Sequence, residues 1–215
     1  MNQQAHHVNL STPGASTSGG FNPAAFLVRV KDVLMNPSGC WGAITAESLT
    51  IKDIYLKYFL ALAAIGPVCT FLGSVVWGGD QVQGTVSQLF VVNLAQYGFA
   101  LIMAYLMAMV FEKLAPRSGG RGDRVAGLKL YVFALVPSAI SGIFMLIPVL
   151  SILALLLGLY SVYVFWQGIG PMLSIPADRK LGFTAMAVVA WIVISIISMV
   201  VFLPLFAVSA GAPGL

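Results

Sequence analysis

Charged residues are scarce in this chain. Asp, Glu, Lys and Arg make up 8% of its 215 residues, whereas hydrophobic residues make up 59% and the mean hydropathy is +0.94. A soluble domain carries about 25% charged residues. A soluble fold of this length could not bury so much apolar surface. The composition therefore excludes a water-soluble domain and predicts an integral membrane protein.

Cysteine and histidine are also rare. The two cysteines, Cys40 and Cys69, show no Cys-x-x-Cys spacing, and the only histidines are the adjacent pair His6 and His7. Structural metal sites usually need four ligands, so we predict no metal site, no disulfide and no cofactor. The net charge of +4 comes without a basic cluster on a folded face, so nucleic acid is not an expected partner.

The chain lacks the usual signatures of catalysis. No histidine falls in an apolar run where it could activate a serine, and neither a Gly-x-Ser-x-Gly elbow nor a phosphate-binding loop is present. No charged residue is expected at the middle of a membrane crossing, which also weakens the case for an ion-coupled transporter. We therefore predict a non-enzymatic protein with no catalytic residues.

Long apolar runs are what the chain does contain. A membrane-spanning helix needs about 20 apolar residues, and five such helices are predicted at about 54–77, 89–111, 130–147, 149–170 and 181–207. The uncharged run 130–170 would be about 60 Å long as one helix, twice the thickness of the hydrocarbon core, so it must fold back near Pro148. The predicted fold class is all-α, a polytopic membrane protein with five transmembrane helices.

The charges predict how the five helices are oriented. If the exposed segments alternate from a cytoplasmic N-terminus, the inner segments hold all 11 basic residues, and the first outer segment holds only Asp80. This distribution follows the positive-inside rule and predicts an outside C-terminus. The basic residues that set this topology include Arg117, Arg121, Arg124, Arg179 and Lys180.

The region before the first crossing divides into two predicted parts. Residues 1–21 read as a disordered polar tail, and residues 22–50 as a cytoplasmic, interfacial amphipathic segment that precedes the transmembrane domain 51–215. Its helix is expected to begin at Asn22 and Pro23 and to stop near Pro37. The apolar face of that helix comprises Phe26, Leu27, Val30, Val33 and Leu34.

Two placements of this amphipathic helix are open. It either lies on the inner leaflet or packs on the cytoplasmic end of the bundle. Trp41 is expected at the headgroups. Thr50 with Asp53 forms a predicted capping box at the start of the first crossing.

Uncharged polar residues are the candidate intramembrane contacts. Tyr160, Tyr163 and Gln167 follow the spacing i, i+3, i+7 on the fourth helix, and Asn93 and Gln96 share a face of the second. One interpretation is hydrogen bonding between helices, at about 0.6 kcal/mol per bond. The other is a polar cavity or groove for a lipid or a small solute.

The order of several stretches resembles the Yip1-domain proteins, and specifically their bacterial branch. These stretches are NPSGCWGAITAES, IYLKYFLALAAIGP, LYVFALVPSAISGI, MLIPVLSILALLLG and LYSVYVFWQGIGPMLSIPADRK. The resemblance implies a multi-pass membrane fold. Eukaryotic members are linked to vesicle trafficking and bind Rab GTPases. Their acidic DLYGP-type motif is absent here, where the chain reads KDIYLKYF, so GTPase binding is not carried over.

The predicted function is that of a non-enzymatic scaffold in the cell's inner (plasma) membrane. Its expected partners are membrane lipids, other membrane proteins or further copies of the chain. The alternative is a small oligomeric channel or transporter whose uncharged cavity is lined by the five polar residues of the second and fourth helices.

Overall fold

The structure, a computed structural model, describes residues 21–77 and 86–209. Within these ranges the chain is helical and has no strand. Its helices are α1 Pro23–Met35, α2 Pro37–Ala46, α3 Ile51–Trp77, α4 Val86–Leu114, α5 Arg124–Ala134, α6 Val136–Ser141, α7 Ser151–Leu173 and α8 Lys180–Ser209. The predicted tail, apart from Phe21, and the first outer segment with Asp80 lie outside the described residues.

The predicted helix starts are confirmed by their caps. The Asn22 side chain accepts hydrogen bonds from the first backbone N–H groups of α1, and Pro23 occupies the first turn. Thr50 and Asp53 form the reciprocal capping box at the start of α3. Each cap satisfies N–H groups that have no partner within the helix.

Five stretches are long and apolar enough to cross a membrane: Ile51–Trp77, Val86–Leu114, Arg124–Phe144, Ile152–Leu173 and Ala177–Val200. The all-helical, five-crossing fold class is therefore confirmed. We number these crossings first to fifth in chain order.

The third crossing is the irregular one. It begins at Arg124, whereas the sequence suggested a start near Leu130, and its helix is interrupted at Leu135, just before Pro137. It then narrows into a 3₁₀ segment, Gly142–Leu146. The chain reverses around Ile147 and Pro148 before α7 begins. The predicted reversal near Pro148 is confirmed, since a proline cannot continue the preceding helix.

The third crossing also lies at the centre of the bundle. Its α5 packs against α4 and α7, and its later part packs against α3 and α7. The backbone of Gly142 approaches that of Gly66 so closely that a Cβ at Gly142 would lie 2.7 Å from the Gly66 Cα. The fifth crossing, by contrast, packs mainly on α4.

One end of the bundle carries the basic residues. We call the basic end the end at which α3, α5 and α8 begin and α4 and α7 end. The described Lys and Arg residues lie there or on the N-terminal segment packed beside it. Arg124 illustrates the arrangement, since it donates to Glu112 at 2.7 Å and to the hydroxyl of Tyr105 at 2.9 Å.

The N-terminal segment contains a second helix that the sequence did not suggest. After α1 the chain turns at Asn36 and Pro37 and returns as α2. We call α1 and α2 together the N-terminal hairpin. It packs along the bundle, with α2 against α7 and α1 against α6. On the predicted apolar face of α1, Val33 is buried against the bundle, and Leu27 is 64% exposed.

Candidate functional site: the seat of the N-terminal hairpin

The largest side chain in the hairpin is inserted into the bundle. Trp41 is fully buried, so its expected place among the headgroups is wrong. A Cβ at Gly168 would lie 2.5 Å from Trp41 Cζ2 and 2.6 Å from Leu130 Cδ1. Trp41 therefore occupies the space that a side chain at position 168 would need. The glycine on α7 is part of the seat because it lets the indole approach the helix.

A buried lysine holds the C-terminal end of α2. Lys129 on α5 is only 5% exposed, and its Nζ donates to the carbonyl of Ile44 at 3.0 Å and to that of Glu47. The last carbonyls of a helix have no intrahelical donor, and the helix dipole makes this end negative. A cation at this position stabilises α2 and joins it to the third crossing.

An ion pair closes the base of the hairpin. Arg29 on α1 donates from Nη2 to Glu47 Oε2 at 2.8 Å, and the hydroxyl of Tyr58 donates to Glu47 Oε1 at 3.4 Å. Tyr58 lies in a π-helical turn of α3, Tyr55–Phe59, and its ring packs on Phe133. The ion pair thus ties both arms of the hairpin to the first crossing.

A buried thiol lies on α2. Cys40 is 6% exposed, and its Sγ donates to the carbonyl of Pro37 at 3.3 Å. Burial raises the pKa of Cys40 to about 11, with the nearby Arg29 acting in the opposite direction. The thiol is therefore protonated and poorly reactive while the hairpin is seated.

The polar stripe of the fourth helix meets this hairpin. The hydroxyl of Tyr160 donates to the carbonyl of Leu34 at 2.9 Å, near the end of α1. The ring of Tyr160 stacks on that of Tyr163, with centroids 5.8 Å apart. Tyr163 is 46% exposed and accepts a hydrogen bond from Gln167 Nε2 at 3.0 Å. The three residues are therefore contiguous, and Tyr160 binds the hairpin directly.

The polar pair of the second helix lies elsewhere. Asn93 is buried, and its Nδ2 donates to the carbonyl of Leu89 on its own helix. Its Oδ1 has no partner among the described residues. Gln96 is exposed. The second and fourth crossings meet instead through the rings of Phe111 and Phe165, near the basic end, with centroids 5.6 Å apart.

The predicted topology residues are mostly solvent-facing at the basic end. Arg117, Arg121 and Arg179 are exposed. Arg179 lies 3.9 Å from Asp178. Arg121 contributes its backbone N–H to the carbonyl of Leu173 at 2.7 Å, which joins the loop after α4 to the end of α7. Side chains so exposed remain available to bind anionic groups.

Sequence reasoning missed the residues that form the seat. Lys129 was placed just outside the third helix, and no role was predicted for Gly168. One signal was available, because Lys129 is a lone cation followed by an uncharged run that extends to Asp178. Nothing in the local pattern of Trp41 or Glu47 indicates a partner far along the chain.

Five apolar crossings with a hairpin packed along them define a multi-pass, α-helical membrane protein. The family model described as the Yip1 domain matches residues 31–210, which includes most of the hairpin and all five crossings. The chain belongs to the Yip1 domain family. Searches of curated proteins and of solved structures found no match.

Proposed function

We propose that this protein is a non-enzymatic scaffold of the cell's inner (plasma) membrane, which binds membrane lipids and other membrane proteins or further copies of itself. The observation that carries the proposal is the use of polar side chains in bonds between the hairpin and the bundle. Lys129, Glu47 and Tyr160 bind the hairpin or the bundle. Polar groups consumed in this way stabilise a shape and are not free to act on a substrate.

The distribution of charge supports an orientation with the basic end in the cytoplasm. Loops on the cytoplasmic side of membrane proteins carry an excess of Lys and Arg. The exposed Arg117, Arg121 and Arg179 would then face the anionic inner leaflet. Each basic residue near such a surface contributes about 1 kcal/mol of attraction. Anionic lipids are accordingly the first partner that we propose.

The placement of the polar residues weighs against a channel or transporter. A shared cavity would need the stripe of Tyr160, Tyr163 and Gln167 to face the pair Asn93 and Gln96. Within the stripe Tyr160 bonds to the hairpin and Gln167 bonds to Tyr163. Asn93 bonds within its own helix, and Gln96 is exposed. This arrangement supports the packing role for the stripe.

A reconstitution experiment tests the scaffold against the transporter. The purified protein is incorporated into liposomes, and the flux of monovalent ions and of small neutral solutes is measured, with Gln167→Leu and Tyr163→Phe as variants. We expect wild type and both variants to match protein-free liposomes. A flux that wild type supports and Gln167→Leu abolishes would refute the scaffold proposal.

A second measurement looks for the proposed lipid partner directly. Native mass spectrometry of the protein extracted from vesicles of phosphatidylethanolamine and phosphatidylglycerol reports which lipids stay bound. We expect retained phosphatidylglycerol, reduced in an Arg117→Gln, Arg121→Gln variant. Gln96→Ala, which removes an exposed polar group outside the basic end, is the matched control. Equal retention in all three proteins contradicts the proposed role of the basic end.

A further inference from the structure

The N-terminal hairpin keeps a constant register along the fourth crossing. Leu34 contacts Tyr160, Trp41 lies against Gly168, and Thr45 Oγ1 lies 3.1 Å from Met172 Sδ. Each partner is 126 or 127 positions further along the chain. The α2 arm therefore runs parallel to α7 towards the basic end, and the last turn of α1 lies beside Tyr160 of α7.

This register fixes how far the turn of the hairpin reaches into the bundle. Interpolation between these contacts puts Pro37 opposite Val164, which is fully buried. The distance from Val164 to the end of α7 at Leu173 is about 13 Å at 1.5 Å per residue. One leaflet of a bilayer contributes about 15 Å of hydrocarbon. The turn thus reaches most of the way through a leaflet.

The length of the fourth crossing decides whether lipid surrounds the hairpin. Ile152–Leu173 has 22 residues, enough for a hydrocarbon core of about 30 Å. If the membrane began only beyond the turn, the remaining stretch from Ile152 to Val164 would span about 20 Å or less. That is too short, so the cytoplasm cannot surround the whole hairpin unless the bilayer thins.

Several polar groups of the turn are satisfied within the protein, as a membrane interior favours. The Asn36 backbone N–H bonds to Asp32 O, and its side chain accepts from the N–H of Gly39 and the hydroxyl of Ser38. Pro37 has no N–H to satisfy. The hydroxyl of Tyr160 bonds to Leu34 O, a carbonyl in the unpaired last turn of α1. Between α1 and α2 only Asn36 is non-helical, so the turn places very little irregular backbone at membrane depth.

The charge pattern fits the same depth. From Val33 to Ala46 no residue is charged. The charges nearest the turn, Lys31 and Asp32, are exposed on α1 about one helical turn before Asn36, and the long Lys31 stem can extend to the headgroups. Met35, beside the turn, is 77% exposed, which suits contact with acyl chains.

We infer that the N-terminal hairpin is re-entrant, meaning that it enters and leaves the bilayer on the same side, inside the leaflet at the basic end and with lipid acyl chains against its outer face. Such a hairpin displaces lipid in one leaflet only. The inference follows from the membrane span and the helix register. It does not depend on whether the protein is a scaffold or a transporter.

A ladder of single cysteines measures the depth. Positions 38, 42 and 46 are exposed on one face of α2 at i+4 spacing, and exposed Ser48 lies in the connection to α3. In a background of Cys40→Ser and Cys69→Ser, each variant is reconstituted in liposomes and labelled with a nitroxide. Ser38→Cys and Ser48→Cys form a matched pair, since both replace an exposed serine.

Paramagnetic collision rates then give the environment of each nitroxide. We expect access to dissolved oxygen to rise, and access to a water-soluble nickel chelate to fall, in the order 48, 46, 42, 38. A charged, membrane-impermeant thiol reagent should also react about 100-fold more slowly at position 38 than at 48, because charge is excluded from hydrocarbon. This comparison uses unlabelled protein with both faces of the membrane opened to the reagent.

Two outcomes would overturn the inference. Equal access of the nickel chelate at positions 38 and 48 places the turn in water. Exclusion of both oxygen and the chelate at position 38 places another protein surface there, such as a second copy. The Gly42→Cys variant guards against local misfolding at Ser38, since a Cβ at Gly42 meets no atom within 4 Å. Neither outcome bears on the flux assay that tests the proposed function.

Discussion

The third and fifth crossings differ more than any other pair in the bundle. In its most apolar stretch the third crossing is 67% buried within the protein, and the fifth is only 11% buried. The mean hydropathy is lower in the third crossing, at 1.6, than in the fifth, at 2.4. The least apolar crossing is thus the central one, and the most apolar lies at the edge.

The difference shows what drives burial inside a membrane. Lipid tails are as apolar as leucine, so hydrophobicity alone does not bring one helix against another. Close packing and hydrogen bonds do, and the third crossing provides both. Its Ser138 hydroxyl and backbone N–H donate to Ser161 Oγ, and Gly142 meets Gly66. The fifth crossing, rich in large exposed apolar side chains, is suited to lipid.

Adding one methyl group to a glycine should give the largest difference in stability between a variant of the third crossing and a variant of the fifth. Gly142→Ala would place its Cβ 2.7 Å from the backbone of Gly66, which cannot move aside as a flexible side chain could. We expect it to lower the free energy of unfolding by about 3 kcal/mol, near the upper end for overpacking. The measurement is denaturation by sodium dodecyl sulfate in mixed micelles.

Gly182→Ala, on the fifth crossing, is the matched control for this substitution. Its Cβ would meet no atom within 4 Å, and alanine is a better helix former than glycine. We expect unchanged stability or a gain of up to about 1 kcal/mol. If the two variants lose equal stability, packing at the third crossing is not what holds the bundle together.

Replacing a lysine in each of the two crossings should give the next largest difference. Lys129→Met leaves the carbonyls of Ile44 and Glu47 without their donor, at a cost of about 2 kcal/mol. We expect the hairpin to leave its seat and expose Cys40. The rate at which a thiol reagent labels Cys40 is measured at pH 8 in a Cys69→Ser background. It should be well above the rate in the parent protein, which carries Cys69→Ser and keeps Lys129.

The pH dependence of Cys40 labelling gives a second test of whether the hairpin is released. The seated hairpin holds the Cys40 proton more tightly than a released one, because burial raises its pKa from a usual value near 9 to about 11. Rising pH over that interval should therefore favour release of the hairpin.

Lys180→Met, at the start of the fifth crossing, is the control for Lys129→Met. In this variant Cys40 should be labelled as slowly as in the parent protein. If both lysine variants raise the rate of Cys40 labelling equally, Lys129 has no specific role in holding the hairpin.

The fifth crossing has one packed face, which gives a smaller effect. Phe183 is fully buried, and its ring lies 5.7 Å from that of Phe111. Phe183→Ala should cost about 1.5 kcal/mol, less than the ~3–5 kcal/mol of an aqueous core, since lipid replaces water as the alternative surrounding. Ile197→Ala, at a site 58% exposed, should cost almost nothing in the same denaturation assay.

The smallest expected effect concerns the tyrosine that binds the hairpin. Tyr160→Phe removes the hydrogen bond to Leu34 O and should lower stability by about 0.6 kcal/mol, the average for such bonds in membranes. Tyr163→Phe is the neighbouring control, because its hydroxyl bonds only Gln167 on its own helix among the described residues. A larger loss at Tyr163 than at Tyr160 would contradict the assigned contact.

Local patterns in the sequence were sufficient for the crossings. Runs of apolar residues identified five helices, and the reversal near Pro148 followed from the length of one run. The caps at Asn22 and Thr50 were also readable, because a cap depends on neighbours within four residues. Tyr160, Tyr163 and Gln167 were predicted as one stripe from helical spacing alone.

The candidate site could not be read in the same way. Trp41 has an ordinary interfacial context in the sequence, yet its partner Gly168 lies more than a hundred positions away. The partner of Tyr160 is a backbone carbonyl, which every residue possesses. The hairpin was missed because α2 has no strong amphipathic pattern, and its packing on α7 uses Gly168 in place of an apolar stripe.

By itself, the sequence determined that this chain crosses a membrane five times, and it located the start of four crossings to within a few residues, since those properties depend on hydropathy, length and local caps. The third crossing begins six residues before its predicted start. Only the tertiary structure decided which crossing is central, where the hairpin sits and that Lys129 is buried. The physical reason is that lipid and protein are equally apolar surroundings. Burial between helices therefore depends on close fit and on hydrogen bonds between residues far apart in the chain.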